Sequence, residues 1–162
     1  MTSNNIQSNP KENFKINFII YFALLAGLIF FALLAYYFPN RQEVDPNESL
    51  LNILTYIVPT FAVIEIFLLR FMYSKHIQQI QSNATLFEKI GKYRTSKIIS
   101  WALLEGAGLF SIVAFIITQS EFFLIVFFVI LGAFILSKPS IEEFLNDFKI
   151  EVNEKDELTK QI

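Results

Sequence analysis

The chain has 162 residues, of which 54% are hydrophobic and only 17% charged, and this composition is too apolar for a soluble domain of that length. Its 13 lysines and arginines nearly balance its 15 aspartates and glutamates, so no basic field favours nucleic-acid binding. The absence of cysteine excludes disulfides, and a single histidine leaves no pattern that predicts a metal site or a cofactor.

Four apolar blocks are predicted to cross a membrane as helices. A hydrocarbon core of about 30 Å requires about 20 helical residues. We therefore expect an all-α, polytopic four-helix bundle over residues 14–138, after a disordered N-terminal segment, residues 1–13. The fourth block is shorter than the others, and a re-entrant segment is the alternative for it. The predicted spans are 18–38, 51–73, 98–118 and 122–136.

The basic residues are distributed unevenly between the two sides of these spans. The connection between the first two spans contains only Arg41 against three acids, and the connection between the last two contains no basic residue. Twelve of the 13 lysines and arginines therefore fall on the other side. By the positive-inside rule we expect both termini in the cytoplasm and the protein in the inner (plasma) membrane.

A short amphipathic helix is predicted after the last span, over residues 139–150. Ser140 and Glu143 have the spacing of a capping box, which favours a helix start there. Four apolar residues follow at helical spacing and predict a face for the membrane surface or for a partner. The charged tail, residues 151–162, is predicted to be disordered. The face consists of Ile141, Phe144, Leu145 and Phe148.

A basic cluster precedes the third span on the predicted cytoplasmic side. Such juxtamembrane clusters attract anionic lipid headgroups. We therefore expect this segment to contact the lipid bilayer or a partner. The cluster consists of Lys89, Lys92, Arg94 and Lys97.

Two carboxylic acids lie within the predicted spans, Glu65 in the second and Glu105 in the third. Each is about 10 to 12 Å from the cytoplasmic end of its span, so in antiparallel neighbours they would be level. An acid at that depth costs on the order of 2.5 to 3.5 kcal/mol, and it is therefore usually turned inward and paired, or kept neutral. Arg70, five residues from Glu65, is expected to extend to the interface instead. We predict a paired site that holds or shares a proton.

The third span also contains small residues that favour close helix packing. Ala102 and Gly106 bracket Glu105. A further stripe lies at i, i+4, i+7 and i+11, a spacing that lets transmembrane backbones approach. The stripe consists of Ala107, Ser111, Ala114 and Thr118.

The segment from residue 91 to residue 118, GKYRTSKIISWALLEGAGLFSIVAFIIT, resembles the second helix of the rotor-ring proteolipids of rotary ATPases. The likeness consists of a basic loop followed by A-L-x-E and small residues. In that family the matching glutamate binds the transported ion. The resemblance implies this role for Glu105, with Ala102, Gly106 and Gly108 packed around it.

These patterns favour a small integral membrane protein that binds or conducts a proton at Glu65 and Glu105. Because the residues that share a face with Glu105 have no side-chain oxygen, a proton is favoured over sodium. The alternative is a non-catalytic structural or assembly subunit, whose acids pair with a cation on another membrane protein or on a second copy. We predict no enzymatic activity, because no nucleophile with an adjacent base and no metal-ligand cluster is recognisable.

Overall fold

The structure is a computed structural model that describes residues 10–37, 48–78 and 84–148. Almost all of these residues are helical, in agreement with the predicted all-α class. Helix α3 is central and packs against α1, α2 and α4. The helices are α1 Pro10–Tyr37, α2 Glu48–Gln78, α3 Leu86–Thr118, α4 Phe122–Leu136 and α5 Ile141–Asp147.

Three of the described helices, α1, α2 and α3, are long and apolar enough to cross a membrane. Helix α4 has 15 residues, and a bend of 70° separates it from α5. The two would provide a fourth span if they are counted as one broken segment. Because α5 lies where α1 and α3 begin and where α2 and α4 end, we call this end of the bundle the α5 end.

Helix α1 starts earlier than predicted, at Pro10, so residues 10–13 are helical rather than disordered. Proline is tolerated in the first turn of a helix, where its missing N–H would have no partner. The extension is held by Phe14, which is buried and stacks on the ring of Tyr93 with 5.6 Å between centroids. Residues 1–9 and 151–162, predicted to be disordered, lie outside the described residues.

Helix α3 extends well beyond the predicted span 98–118, since it begins at Leu86. Its first turn is closed by a capping box between Thr85 and Glu88. The Thr85 backbone N–H donates to the Glu88 carboxylate at 2.8 Å, and the Glu88 N–H donates to the Thr85 hydroxyl at 3.4 Å. These bonds satisfy backbone donors that a helix start otherwise leaves unpaired.

The small-residue stripe of α3 is buried, as its spacing predicted. The Ser111 hydroxyl donates to the Phe123 carbonyl at 2.6 Å and so joins α3 to the first turn of α4. Near it, Ala114 packs in one apolar cluster with Val58 of α2. The stripe therefore positions α2 and α4 on α3.

Close contact between α1 and α3 depends on Gly108. A Cβ atom at this position would lie 2.9 Å from Cδ1 and 3.2 Å from Cδ2 of Leu28, whose side chain is fully buried. We expect Gly108→Ala to lower the free energy of unfolding by about 1 to 3 kcal/mol, because the crowded Leu28 has no free space to enter. Thermal unfolding in mild detergent, followed by circular dichroism, measures the effect.

Two variants provide controls for Gly108→Ala. A Cβ at Gly27 would meet nothing within 4 Å, so Gly27→Ala should leave stability unchanged or raise it. Leu28→Ala should remove the clash, so that adding Gly108→Ala to it costs little. An equal loss in both backgrounds would contradict the steric explanation.

Candidate functional site

Glu65 lies in the interior between α2 and α3, with 6% of its surface exposed. Its Oε1 would be 3.7 Å from a Cβ placed on Gly106, and its carboxyl group approaches the backbone amide of Ala107. Its Oε2 is buried without a hydrogen-bond partner. A buried carboxyl oxygen in this state is costly, and within the described residues it shares this state with one other side-chain atom, Nδ2 of Asn17.

Glu105 is only partly buried. Because successive helical residues are about 100° apart, it points about 100° away from Gly106 and about 160° away from Ala107, the two residues that meet Glu65. Glu65 and Glu105 lie at the same level of the bundle. Within the described ranges the structure shows no hydrogen bond between their carboxyl groups. The paired arrangement therefore stays a prediction.

The three small residues expected around the acids have different surroundings. Gly106 lies against Glu65, since a Cβ placed on it would be 3.7 Å from Oε1, an ordinary van der Waals distance. Gly108 faces Leu28 of α1, and Ala102 is exposed. Of the three, Gly106 is the one that faces Glu65.

The basic cluster was predicted to be a lipid or partner surface, and its members differ in how far they are exposed. Lys97 is buried, and its Nζ lies 2.7 Å from Glu143 Oε2 and 5.1 Å from the centroid of the Tyr73 ring. Lys89 is also buried, whereas Lys92 is exposed. Lys97 is buried because α5 folds back against this part of α3 and places Glu143 on it.

Arg94, the remaining member, is used to dock α1. Its Nε donates to Asn17 Oδ1 at 2.9 Å, and its Nη2 donates to the carbonyl of Asn13. Asn17 is fully buried, and its Nδ2 has no partner. This contact was not predicted, although the asparagine at the edge of an apolar run was a signal for it.

The apolar face predicted on α5 is turned into the protein rather than offered to lipid or to a partner. Phe144 is fully buried, with its ring 5.6 Å from Phe14 and 5.4 Å from Tyr93. This packing covers apolar side chains at the starts of α1 and α3. The other face residues, which are partly buried against the same cluster, are Ile141, Leu145 and Phe148.

The predicted capping box of α5 does not form. Ser140 occupies the N-cap position without a side-chain hydrogen bond. The Glu143 carboxylate is instead held by Lys97 and by the Tyr93 hydroxyl, which donates to it at 3.0 Å. At the other end of α5, the Tyr73 hydroxyl donates to Asp147 at 2.5 Å. Bonds to α2 and α3 therefore replace the local cap.

A cleft of about 460 Å³ opens between α2, α3 and α4 at the α5 end. Its polar groups include Arg70, Lys97 and Glu143, together with two serine hydroxyls. Its deeper wall is apolar. The apolar lining residues are Ile66, Leu69, Leu104, Ala133 and Leu136.

The fold and this distribution of polar groups define the protein as an α-helical protein with several helices suited to crossing a membrane. Comparison with protein families, with curated proteins and with solved structures gives no match for this chain. Across the described ranges, no three acidic or histidine side chains come together in a way that could hold a metal ion.

Proposed function

We propose that this chain is a small, non-catalytic inner-membrane protein with four spans and cytoplasmic termini, which binds a proton at Glu65. Glu105 is a second protonatable group at the same level. The observation that carries the proposal is the burial of Glu65 with Oε2 unpaired. A carboxyl group in the bilayer interior marks functional sites more often than structural ones.

The chemistry of the site supports a proton rather than a metal cation. The carboxyl group of Glu65 meets the backbone of α3 at Gly106 and Ala107. Neither residue has a side-chain oxygen that could bind a metal ion. A proton needs only one carboxyl oxygen, whereas a metal cation needs several ligands. The orientation is supported by the basic and aromatic residues at the α5 end, where the sole tryptophan also lies.

Glu65→Gln is expected to abolish the proton-binding signal and to preserve the fold, because glutamine keeps the shape of the side chain without a titratable group. Infrared difference spectroscopy of the reconstituted protein should show the carbonyl band of a protonated carboxyl at neutral pH. This band should be lost in Glu65→Gln. Dye-detected proton flux into liposomes should fall to the protein-free level if the site also conducts.

The matched control is Glu121→Gln, an exposed acid on the connection between α3 and α4. It should leave both the infrared band and the flux unchanged. Glu105→Gln shows whether the second acid carries a proton of its own. A spectrum without a protonated-carboxyl band, or one that Glu65→Gln does not alter, would contradict the proposal.

A second function, that of a structural or assembly subunit, is favoured by the position of Glu105. This acid is partly exposed, and Ala102, three residues before it on α3, is exposed beside it. A cation from another membrane protein, or from a second copy, could reach it there. This function predicts that Glu105→Gln weakens co-purification of a membrane partner without altering the Glu65 band.

A further inference from the structure

The cleft at the α5 end combines a cationic mouth with an apolar wall. Lys97 is paired with Glu143 within it, so these two charges largely cancel. Arg70 also lines the cleft, is exposed, and has no carboxylate partner among the described residues. The net charge of the lining is therefore positive, and it is concentrated at Arg70.

Among the polar groups of the cleft, Arg70 suits an anion that carries oxygen atoms, and the two serines suit hydrogen-bond donors. The guanidinium group of Arg70 presents several donors in a planar fork, which matches the geometry of phosphate. The hydroxyl groups of Ser100 and Ser137 already donate to the carbonyls of Ser96 and Phe134. Their lone pairs remain able to accept hydrogen bonds, for example from the hydroxyls of a polar headgroup.

The cleft also has an apolar lining, which includes Leu69 of α2, Leu104 of α3 and Ala133 of α4. The small alanine side chain leaves space beside α4. The gap exists because α2 contacts α4 much less than it contacts α3. An acyl chain therefore has a continuous apolar surface along which it could lie.

We propose that this cleft binds one anionic phospholipid, whose phosphate is held by Arg70 and whose acyl chain lies along Leu69, Leu104 and Ala133. Basic pockets between transmembrane helices at the level of the headgroups are typical sites for such lipids. The site shares Lys97 with the predicted lipid surface, but it is centred on Arg70, which does not belong to that cluster, and it does not depend on proton binding at Glu65.

Lipid titration of the delipidated protein in a zwitterionic detergent tests this proposal. Dioleoylphosphatidylglycerol should raise the midpoint of thermal unfolding by about 5 °C and saturate, since a ligand that binds only the folded state stabilises it. Native mass spectrometry should show one retained lipid per chain. Dioleoylphosphatidylcholine and inorganic phosphate at the same concentrations should have no comparable effect.

Two variants and one control locate the binding site. Arg70→Gln should weaken the response to phosphatidylglycerol roughly tenfold or more, through loss of a charge-assisted contact. Ala133→Phe should reduce the response by filling the apolar wall while leaving Arg70 in place. Lys92→Gln removes an exposed charge outside the cleft and should leave the response unchanged.

Three results would overturn the proposal. The first is equal stabilisation by phosphatidylcholine, and the second is an unchanged phosphatidylglycerol response in Arg70→Gln. The third is stabilisation by inorganic phosphate alone, which would identify free phosphate rather than a lipid as the ligand. If Ala133→Phe fails to fold, the Arg70→Gln and Lys92→Gln pair still decides the outcome.

Discussion

Glu143→Ala is expected to lower the free energy of unfolding by about 3 kcal/mol, because it leaves the ammonium group of Lys97 buried without a counter-charge. Lys97 is held between α3 and α5, with both oxygens of Glu143 at 2.7 Å. The side chain of Glu143 is one-third exposed, so water reaches part of the pair. The larger share of the loss therefore comes from the lysine.

Thermal and denaturant unfolding in detergent measure this loss, and the adjacent acid provides the control. Glu142 is exposed on the same short helix, so Glu142→Ala should change stability by no more than about 0.5 kcal/mol. Adding Lys97→Met to Glu143→Ala should recover part of the loss, since the double variant buries no unpaired charge. Strictly additive losses would show that the pair is not coupled.

The release of α5 is a structural consequence of the same change. Phe144 packs on Phe14 and Tyr93, so α5 covers the first turns of α1 and α3. When the ion pair is removed, a protease should cleave at α5 more readily than in the unaltered protein. Unchanged cleavage would indicate that the apolar contacts alone hold α5 in place.

Trp101→Ala is expected to lower the free energy of unfolding by about 3 to 5 kcal/mol, because it removes a fully buried aromatic ring from the centre of the bundle. The ring contacts Tyr21 of α1, with 5.4 Å between centroids. Its Nε1 donates to the carbonyl of Ser137 at the end of α4, at 3.1 Å. One side chain of α3 therefore joins two further helices.

A second substitution separates the ring from its hydrogen bond. Trp101→Phe keeps an aromatic ring but leaves the Ser137 carbonyl without its donor, so it should cost about 1 to 2 kcal/mol. Phe128→Ala, at a side chain that is 63% exposed, should have little effect on the packing. Unfolding of all three variants should be followed by circular dichroism, because the two Trp101 variants lack the protein's only tryptophan and so have no tryptophan fluorescence. Similar losses for Trp101→Ala and Phe128→Ala would contradict the structural role of Trp101.

Glu65 and Glu105 are not hydrogen-bonded to each other in the described part of the chain, although α2 and α3, the helices that carry them, pack against each other. Glu65 is buried on the side of α2 that faces Gly106 and Ala107 of α3. Glu105 is the next residue along α3 from Gly106, yet it points to another side of the helix. A shared proton between the acids would therefore require a change in the rotation of α2 or α3. Separate infrared measurements on Glu65→Gln and Glu105→Gln distinguish one shared proton from two independent ones.

The amino-acid sequence alone determined the presence and order of the five helices, although α1 and α3 begin earlier than predicted. The run of residues 122–136 matches α4 at both ends, and α3 ends at Thr118 as predicted. Long apolar runs interrupted by polar connections suffice for this, because the backbone must satisfy its own hydrogen bonds wherever water is excluded. The presence of Glu65 and Glu105 within such runs was also evident from the sequence.

Only the tertiary structure decided how each helix is rotated and which distant residues meet. In a helix that is apolar on all sides, hydrophobic periodicity does not distinguish the face that packs from the face that meets lipid. The pairing of Lys97 with Glu143, 46 residues apart, depends on α5 folding back at the bend after α4. The exposure of Glu105 and the burial of Glu65 likewise follow from the packing of α2 on α3, because contact geometry, rather than local composition, sets which side of a helix is covered.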